Sequence, residues 1–400
     1  MPCQNRPTWS YSLPAALLLM APFDILASLA MDIYLPVVPQ MPIILGTSPA
    51  IVQLTLSLYM LMLGLGQLLF GPLSDRFGRR PVLIGGAMLF AVSSLLLSAT
   101  TSAPAFVALR LMQAAGASAA LVATFATVRD VYGSRPEGVT IYGLFSAMLA
   151  FVPALGPIAG ALIAGAFGWR AIFLTLGVLG LVALAQALPR WLETRPATEE
   201  NTKPAFAPIL RHGAFWTYTL GFSTAMGSFF VFFSTAPRLL IDRAGYSELG
   251  FSLAFATAAV VMILTTRFAK RFTARFGTAG CLARGMAVLM AGGLLLACGE
   301  TFGTPSFATF VLPMWVIAIG IVMTASVTAN GALKAFDATA GTAVALYFSI
   351  QSLIVSLVGT GAVLLLGGDT AWPLAGYCLV MATITLVALA LLRRHARQPA

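Results

Sequence analysis

Three ionisable residues lie where an apolar chain can least accommodate them. Asp24 and Asp32, in PFDILASLAMDIYLP, and Arg110, in LRLMQAAGAS, sit well inside long hydrophobic runs. Each charge at a bilayer centre costs about 2.5–3.5 kcal/mol on insertion scales, so three unpaired charges cost on the order of 8–10 kcal/mol. That is comparable to the net stability of a whole domain. On one helix the two acids stand about 12 Å apart along the axis and about 80° apart in azimuth. Both can therefore border one cavity. The economical arrangement pairs Asp32 with Arg110 at similar depth and leaves Asp24 nearer the midplane. The bland alternative is a static bridge plus one solvated carboxylate. The chemistry these types favour is proton exchange, because a desolvated carboxyl without a permanent cation can bind and release protons. Both histidines, His212 and His395, lie in polar segments, so carboxylate is the expected carrier.

The elements that must hold this triad follow from composition. The 400 residues are 59% hydrophobic and 9% charged, with a mean hydropathy of +0.92, whereas soluble domains carry roughly 25% charge. At roughly 20 residues per span, the runs predict twelve helices: 13–37, 50–71, 81–100, 104–128, 139–164, 169–189, 214–238, 248–267, 279–299, 304–326, 340–366 and 371–392. The first run ends in acids and prolines and reads as a retained helix, not a cleaved leader. Arg76, Arg79, Arg80, Arg129, Arg190, Arg211 and most other basic residues then fall inside. Only Arg170, Arg238 and Arg243 fall outside. This positive-inside bias places both termini in the cytoplasm and explains the net charge of +10 without nucleic acid.

The polar connection 190–213 divides a six-helix bundle, 1–189, from a second, 214–400. A half-length repeat supports this: Arg76-Phe77-Gly78 and Arg275-Phe276-Gly277 each precede the third helix of their half. No cofactor is expected. Cys3, Cys281, Cys298 and Cys378 are isolated, and no phosphate-binding loop surrounds Lys203, Lys270 or Lys334, so an ion gradient, not ATP, must supply energy.

Three further stretches carry mechanism. In 71–81, GPLSDRFGRRP, Gly71 and Gly78 allow a tight turn, and Pro81 suits a first helical turn. Arg79 and Arg80, taken alone, read as topology charges, with Asp130 a partner for the loop arginines. In the fourth span the small residues after Arg110 suit close helix contact. In the fifth, Gly156-Pro157-x-x-Gly160 bends a helix and admits a neighbouring backbone. Pro22, Pro36 and Pro39 interrupt the first helix, while Gly64 and Gly66 loosen the second. Tyr34, Tyr59, Phe151, Phe230, Phe233, Trp315 and Tyr347 are candidates for an aromatic pocket.

The loop G-x-L-S-D-R-x-G-R-R resembles the signature of the major facilitator superfamily, and R-x-x-Q-x-x-G resembles that superfamily's fourth-helix motif. Gly156–Gly160 looks like its antiporter motif, with Val152 and Ala161 where glycines are usual. Together with Asp24, the run Asp32-Ile33-Tyr34-Leu35-Pro36 and Gly168-Trp169-Arg170-Ala171-Ile172-Phe173, these are similar to the bicyclomycin/chloramphenicol branch of twelve-helix drug:proton antiporters, the phenicol exporters in particular. The resemblance implies export of chloramphenicol and florfenicol, small lipophilic drugs, across a bacterial inner membrane in exchange for protons; a monomer is expected. It also implies that Asp32 binds proton and substrate, Asp24 aids recognition, and Arg110 joins the coupling network. Asp75 would latch to a second-half helix near 339–342. Two rivals are a proton symporter importing a metabolite, and a membrane receptor that moves nothing.

Overall fold

The computed structural model describes residues 9, 11–132, 135–195, 206–336 and 340–395, with no strand among them. The long helices are α1 (Leu13–Asp32), α2 (Pro49–Phe77), α3 (Arg79–Ala99), α4 (Ala103–Tyr132), α5 (Pro136–Phe167) and α6 (Trp169–Arg190), followed by α7 (Gly213–Pro237), α8 (Glu248–Thr266), α9 (Ala269–Phe302), α10 (Leu312–Leu333), α11 (Ala340–Ile354) and α12 (Trp372–His395). By length and composition, eleven described helices can cross a membrane. The remaining expected span lies in α5, whose stretch Phe151–Phe167 is apolar. Helices this apolar on every side cannot hide in a water-soluble core, and lipid is the solvent that fits them.

Glycines and some prolines mark the breaks, but Pro22, expected to interrupt the first helix, lies inside α1. α1 ends at Asp32, and the segment with Pro36 and Pro39 tightens into a 3₁₀ helix, Leu35–Gln40. α11 continues through a wide turn, Val355–Gly359, into Thr360–Leu366. The tight turn expected across 71–81 is much shorter than that: α2 runs helically through Gly71 and Pro72 to Phe77, leaving Gly78 alone between two helices. Gly78 takes φ 107° and Gly277, at the matching break in α9, takes φ 65°. Only glycine enters this region cheaply, which is why the repeated tripeptide ends as it does.

The chain forms two compact units: Met1–Tyr34 with Leu58–Thr202, and Leu35–Ser57 with Lys203–Ala400. The stretch 35–57 thus groups with the second unit, although it precedes the 190–213 connection. Polar pairs hold it there: Gln53 Nε2 donates to Ser234 Oγ at 3.0 Å, and the Ser57 and Thr360 hydroxyls meet. Within the first unit α3 packs on α4 and α6, and α1 on α4, α5 and α6. Within the second, α9 packs on α10 and α12, and α7 on α10, α11 and α12. Each unit seals one pair with facing glycines. A Cβ on Gly116 would come 2.6 Å from the Gly86 carbonyl, and one on Gly320 would come 2.9 Å from the Gly285 carbonyl. Small residues permit such backbone approach, which membrane helices use in place of a hydrophobic driving force.

Candidate functional site

The site lies in the first unit, where the broken end of α1 meets α2, α4, α5 and α6. Asp24 and Asp32 are both buried, 0% and 6% exposed, and so is Arg110 at 0%. The expected Asp32–Arg110 ion pair does not form: among the described residues no cation stands within salt-bridge distance of either acid. Arg110 turns to the backbone instead, donating from Nη1 to the Ala30 carbonyl at 3.1 Å and to Gln113 Oε1 at 2.6 Å. Ala30 lies in the last turn of α1, where carbonyls lack helical partners and the dipole is negative. That carbonyl takes one of the guanidinium's donors, while Nε and Nη2 are buried without a hydrogen-bond partner among the described residues. Arg110 does reach the last turn of α1, the turn that carries Asp32.

Three rings enclose the guanidinium. Its central carbon lies 4.5 Å from the Tyr59 ring centroid, 5.1 Å from Tyr34 and 5.9 Å from Phe173. Arginine is well suited to such faces, being planar and less strongly hydrated than lysine. Tyr59 also donates its hydroxyl to the Ala27 carbonyl at 2.8 Å, so α2 is tied to α1 beside the cation. It stands within electrostatic range of both Arg110 and Asp32. A relay continues from Gln113 Nε2 to Ser94 Oγ at 2.7 Å, and from Ser94 to the Phe90 carbonyl at 2.6 Å. Ser94 and Phe173 were not marked as site residues by the sequence. A serine in an apolar span bonds its own helix as often as anything else, and one phenylalanine among many carries no signal.

The antiporter-like motif meets the first acid-bearing helix directly. A Cβ on Gly156 would lie 2.8 Å from the Asp32 Cβ, and one on Gly160 would lie 1.9 Å from the Ile33 carbonyl. Residues four apart share a helix face, so the two glycines let α5 lie against the break after Asp32. Pro157 and Pro153 both remain inside α5. Gly66 packs tightly and does not loosen its helix: a Cβ there would strike Ser118 Oγ at 2.0 Å. Asp24 lies about two turns before Asp32, and both its carboxylate oxygens are buried without a hydrogen-bond partner among the described residues.

The remaining aromatic candidates divide. Tyr34 and Tyr59 join the Arg110 cage, whereas Phe151 is 52% exposed. Phe230, Phe233, Trp315 and Tyr347 belong to the second unit. Phe230 packs near Gly359, and Phe233 meets Phe255 edge-on at 6.3 Å. Trp315 donates to Thr257 Oγ1 at 2.9 Å, and Tyr347 donates to Thr328 at 3.0 Å while stacking on Phe222.

The signature residues form a second cluster. Arg79 is not a solvated topology charge: it is fully buried, with Nε 2.8 Å from Asp130 Oδ2 and Nη1 against Asp75. The Asp130 partnership is as expected. Arg76 and Arg80 remain exposed. Thr339, within the stretch expected to face Asp75, lies outside the described residues.

The sequence profile of the Major Facilitator Superfamily matches residues 24–360. The chain is 50% identical over 382 residues, 95% of its own length and 91% of the relative's, to the chloramphenicol resistance protein of Pseudomonas aeruginosa. It is 27% identical over 400 aligned positions, covering 95% and 96% of the two chains, to the bicyclomycin resistance protein homolog of Haemophilus influenzae. Its fold superimposes on the solved structure of a D-xylose-proton symporter with a TM-score of 0.76 at 16% identity, covering 94% and 97%. At that identity the likeness speaks for the fold alone.

Proposed function

The chain belongs to the major facilitator superfamily, and from that premise we propose that it exports chloramphenicol, and florfenicol with it, in exchange for protons. It is a multi-pass membrane transporter and not an enzyme. Substrate class follows from the 50% likeness to a chloramphenicol resistance protein. The observation that carries the coupling is the pair of buried carboxyls, Asp24 and Asp32, without a cation at salt-bridge distance among the described residues, on the helix whose Ala30 carbonyl accepts from Arg110. A buried carboxyl without a fixed counter-ion is stable as the protonated acid, and it can release that proton when substrate or water enters.

In this reading drug enters from the cytoplasm or inner leaflet, and Asp32 gives up its proton as drug binds, with Asp24 assisting recognition. The cycle closes when protonation from the outer side of the bacterial inner membrane expels the drug. Both termini and the Asp75–Arg79–Asp130 cluster lie on the cytoplasmic side, where the cluster secures the closed loop. The test is uptake of labelled phenicols into inverted vesicles, together with proton release from purified protein in weak buffer. Gradient-dependent uptake, and acidification on drug addition that Asp32→Asn abolishes, are expected. Full proton-driven accumulation by Asp32→Asn overturns the coupling assignment. Absence of gradient-driven uptake by inserted wild-type protein overturns the phenicol assignment.

A further inference from the structure

Glu193 lies just beyond α6, at the start of the polar connection, and takes no part in the cycle described above. Its carboxylate accepts the backbone N–H of Arg79 at 2.8 Å and of Arg80 at 3.1 Å. It also accepts those of Thr194 at 3.1 Å and Arg195 at 3.0 Å. Arg79 and Arg80 open α3, so the carboxylate stands where helical amides lack partners and the dipole is positive. α3 has no cap of its own at the N-cap position, because the residue there is Gly78, which carries no side chain to bond the first turn. A residue over a hundred positions away supplies the cap.

Gly78 is required for this twice over. Its φ of 107° disfavours any side chain, and a Cβ there would stand 2.4 Å from Glu193 Oε2. The flanking chain is fixed as firmly. Arg195 Nη1 donates to the Arg76 carbonyl at 2.6 Å, and Arg80 Nη2 donates to the Leu188 carbonyl at 2.9 Å. Trp191 is 1% exposed, with its ring 5.4 Å from Trp9 and 5.8 Å from Phe23, centroid to centroid. Tyr11 closes the arrangement by donating to the Arg190 carbonyl at 2.7 Å. The first residues of the connection are thus a packed brace on the signature loop. The loop's buried cation, Arg79, occupies the same turn that Glu193 caps.

We propose that Glu193 is a positioning residue for transport: by holding the first two amides of α3 it sets where Arg79 stands between Asp75 and Asp130, and so governs turnover without touching drug or proton. The effect on turnover rests on the exporter reading above, whereas the clasp itself does not. The experiment compares wild type with Glu193→Gln, which keeps the shape and loses the charge, and with Glu193→Ala. It reads amide hydrogen exchange over 78–82 in purified full-length protein, equilibrium chloramphenicol binding, and gradient-driven uptake kinetics.

Exchange about tenfold faster in Glu193→Ala, and less so in Glu193→Gln, is expected from loss of a cap. Maximal uptake is expected to fall about fivefold with KM and binding affinity within about twofold of wild type. Wild-type exchange in both variants overturns the clasp. Faster exchange with wild-type uptake overturns the positioning role, as does loss of drug affinity in parallel with uptake. If wild-type protein moves no phenicol, the exporter reading falls on its own, and the exchange comparison still decides whether Glu193 holds the helix.

Discussion

Gly156 stands directly against Asp32, so that a Cβ on the glycine would come within 2.8 Å of the aspartate Cβ. The helix bearing the antiporter-like motif therefore touches the acid assigned to coupling, with no side chain between them. Gly156→Ala forces α5 away from Asp32, or Asp32 out of place. Overpacking of this kind costs about 1–3 kcal/mol. Proton-driven uptake is expected to fall about tenfold, while circular dichroism shows the helices retained. Gly160→Ala should be worse, because the obstacle there is the Ile33 carbonyl, a backbone atom, at 1.9 Å. Equal, wild-type uptake in both variants would show that this contact is not needed.

Arg110 is held by a carbonyl and three ring faces rather than by a carboxylate. Charge alone should therefore not replace it. Arg110→Lys keeps the cation but loses the planar fork and the stacking, and uptake should drop by about tenfold or more. Ser94→Ala removes only the far end of the relay and should cost about 1 kcal/mol of stability, with uptake near wild type. Comparable uptake by Arg110→Lys and wild type would contradict the cage.

The two acids around Arg79 are not equivalent. Asp130 is 5% exposed at its side chain and Asp75 is 43% exposed. Asp130→Asn leaves a buried guanidinium short of charge and should destabilise the protein by about 2 kcal/mol. Asp75→Asn, a half-exposed partner, should cost under about 1 kcal/mol. Thermal unfolding in detergent orders the two, and the reverse order would refute the buried-network account.

Gln53 and Ser57 anchor the stretch 35–57 within the second unit through Ser234 and Thr360. Gln53→Leu leaves the buried Ser234 hydroxyl without this partner, and a loss of about 1–2 kcal/mol is expected. Replacing both members, Gln53→Leu with Ser234→Ala, should recover part of it. No recovery in the double variant would mean that the bond contributes little.

Chain composition alone determined that this protein lives in a bilayer, because no arrangement of so apolar a chain covers a water-facing surface. Spacing and short motifs, read locally, gave the helices, the break glycines Gly78 and Gly277, and the family. Asp24, Asp32 and Arg110 were legible as well, since a charge in an apolar run is conspicuous whatever its neighbours. The partners those charges choose were not legible. Arg110 takes the Ala30 carbonyl and the rings of Tyr34, Tyr59 and Phe173. Arg79, which reads as a surface charge, is buried against Asp130. Glu193, unremarkable in a polar connection, caps a helix more than a hundred residues earlier. The reason is physical: hydropathy and turn chemistry act between near neighbours in the chain. A hydrogen bond or cation–π contact depends instead on which distant segments packing brings within a few ångströms, and only the tertiary structure decides that.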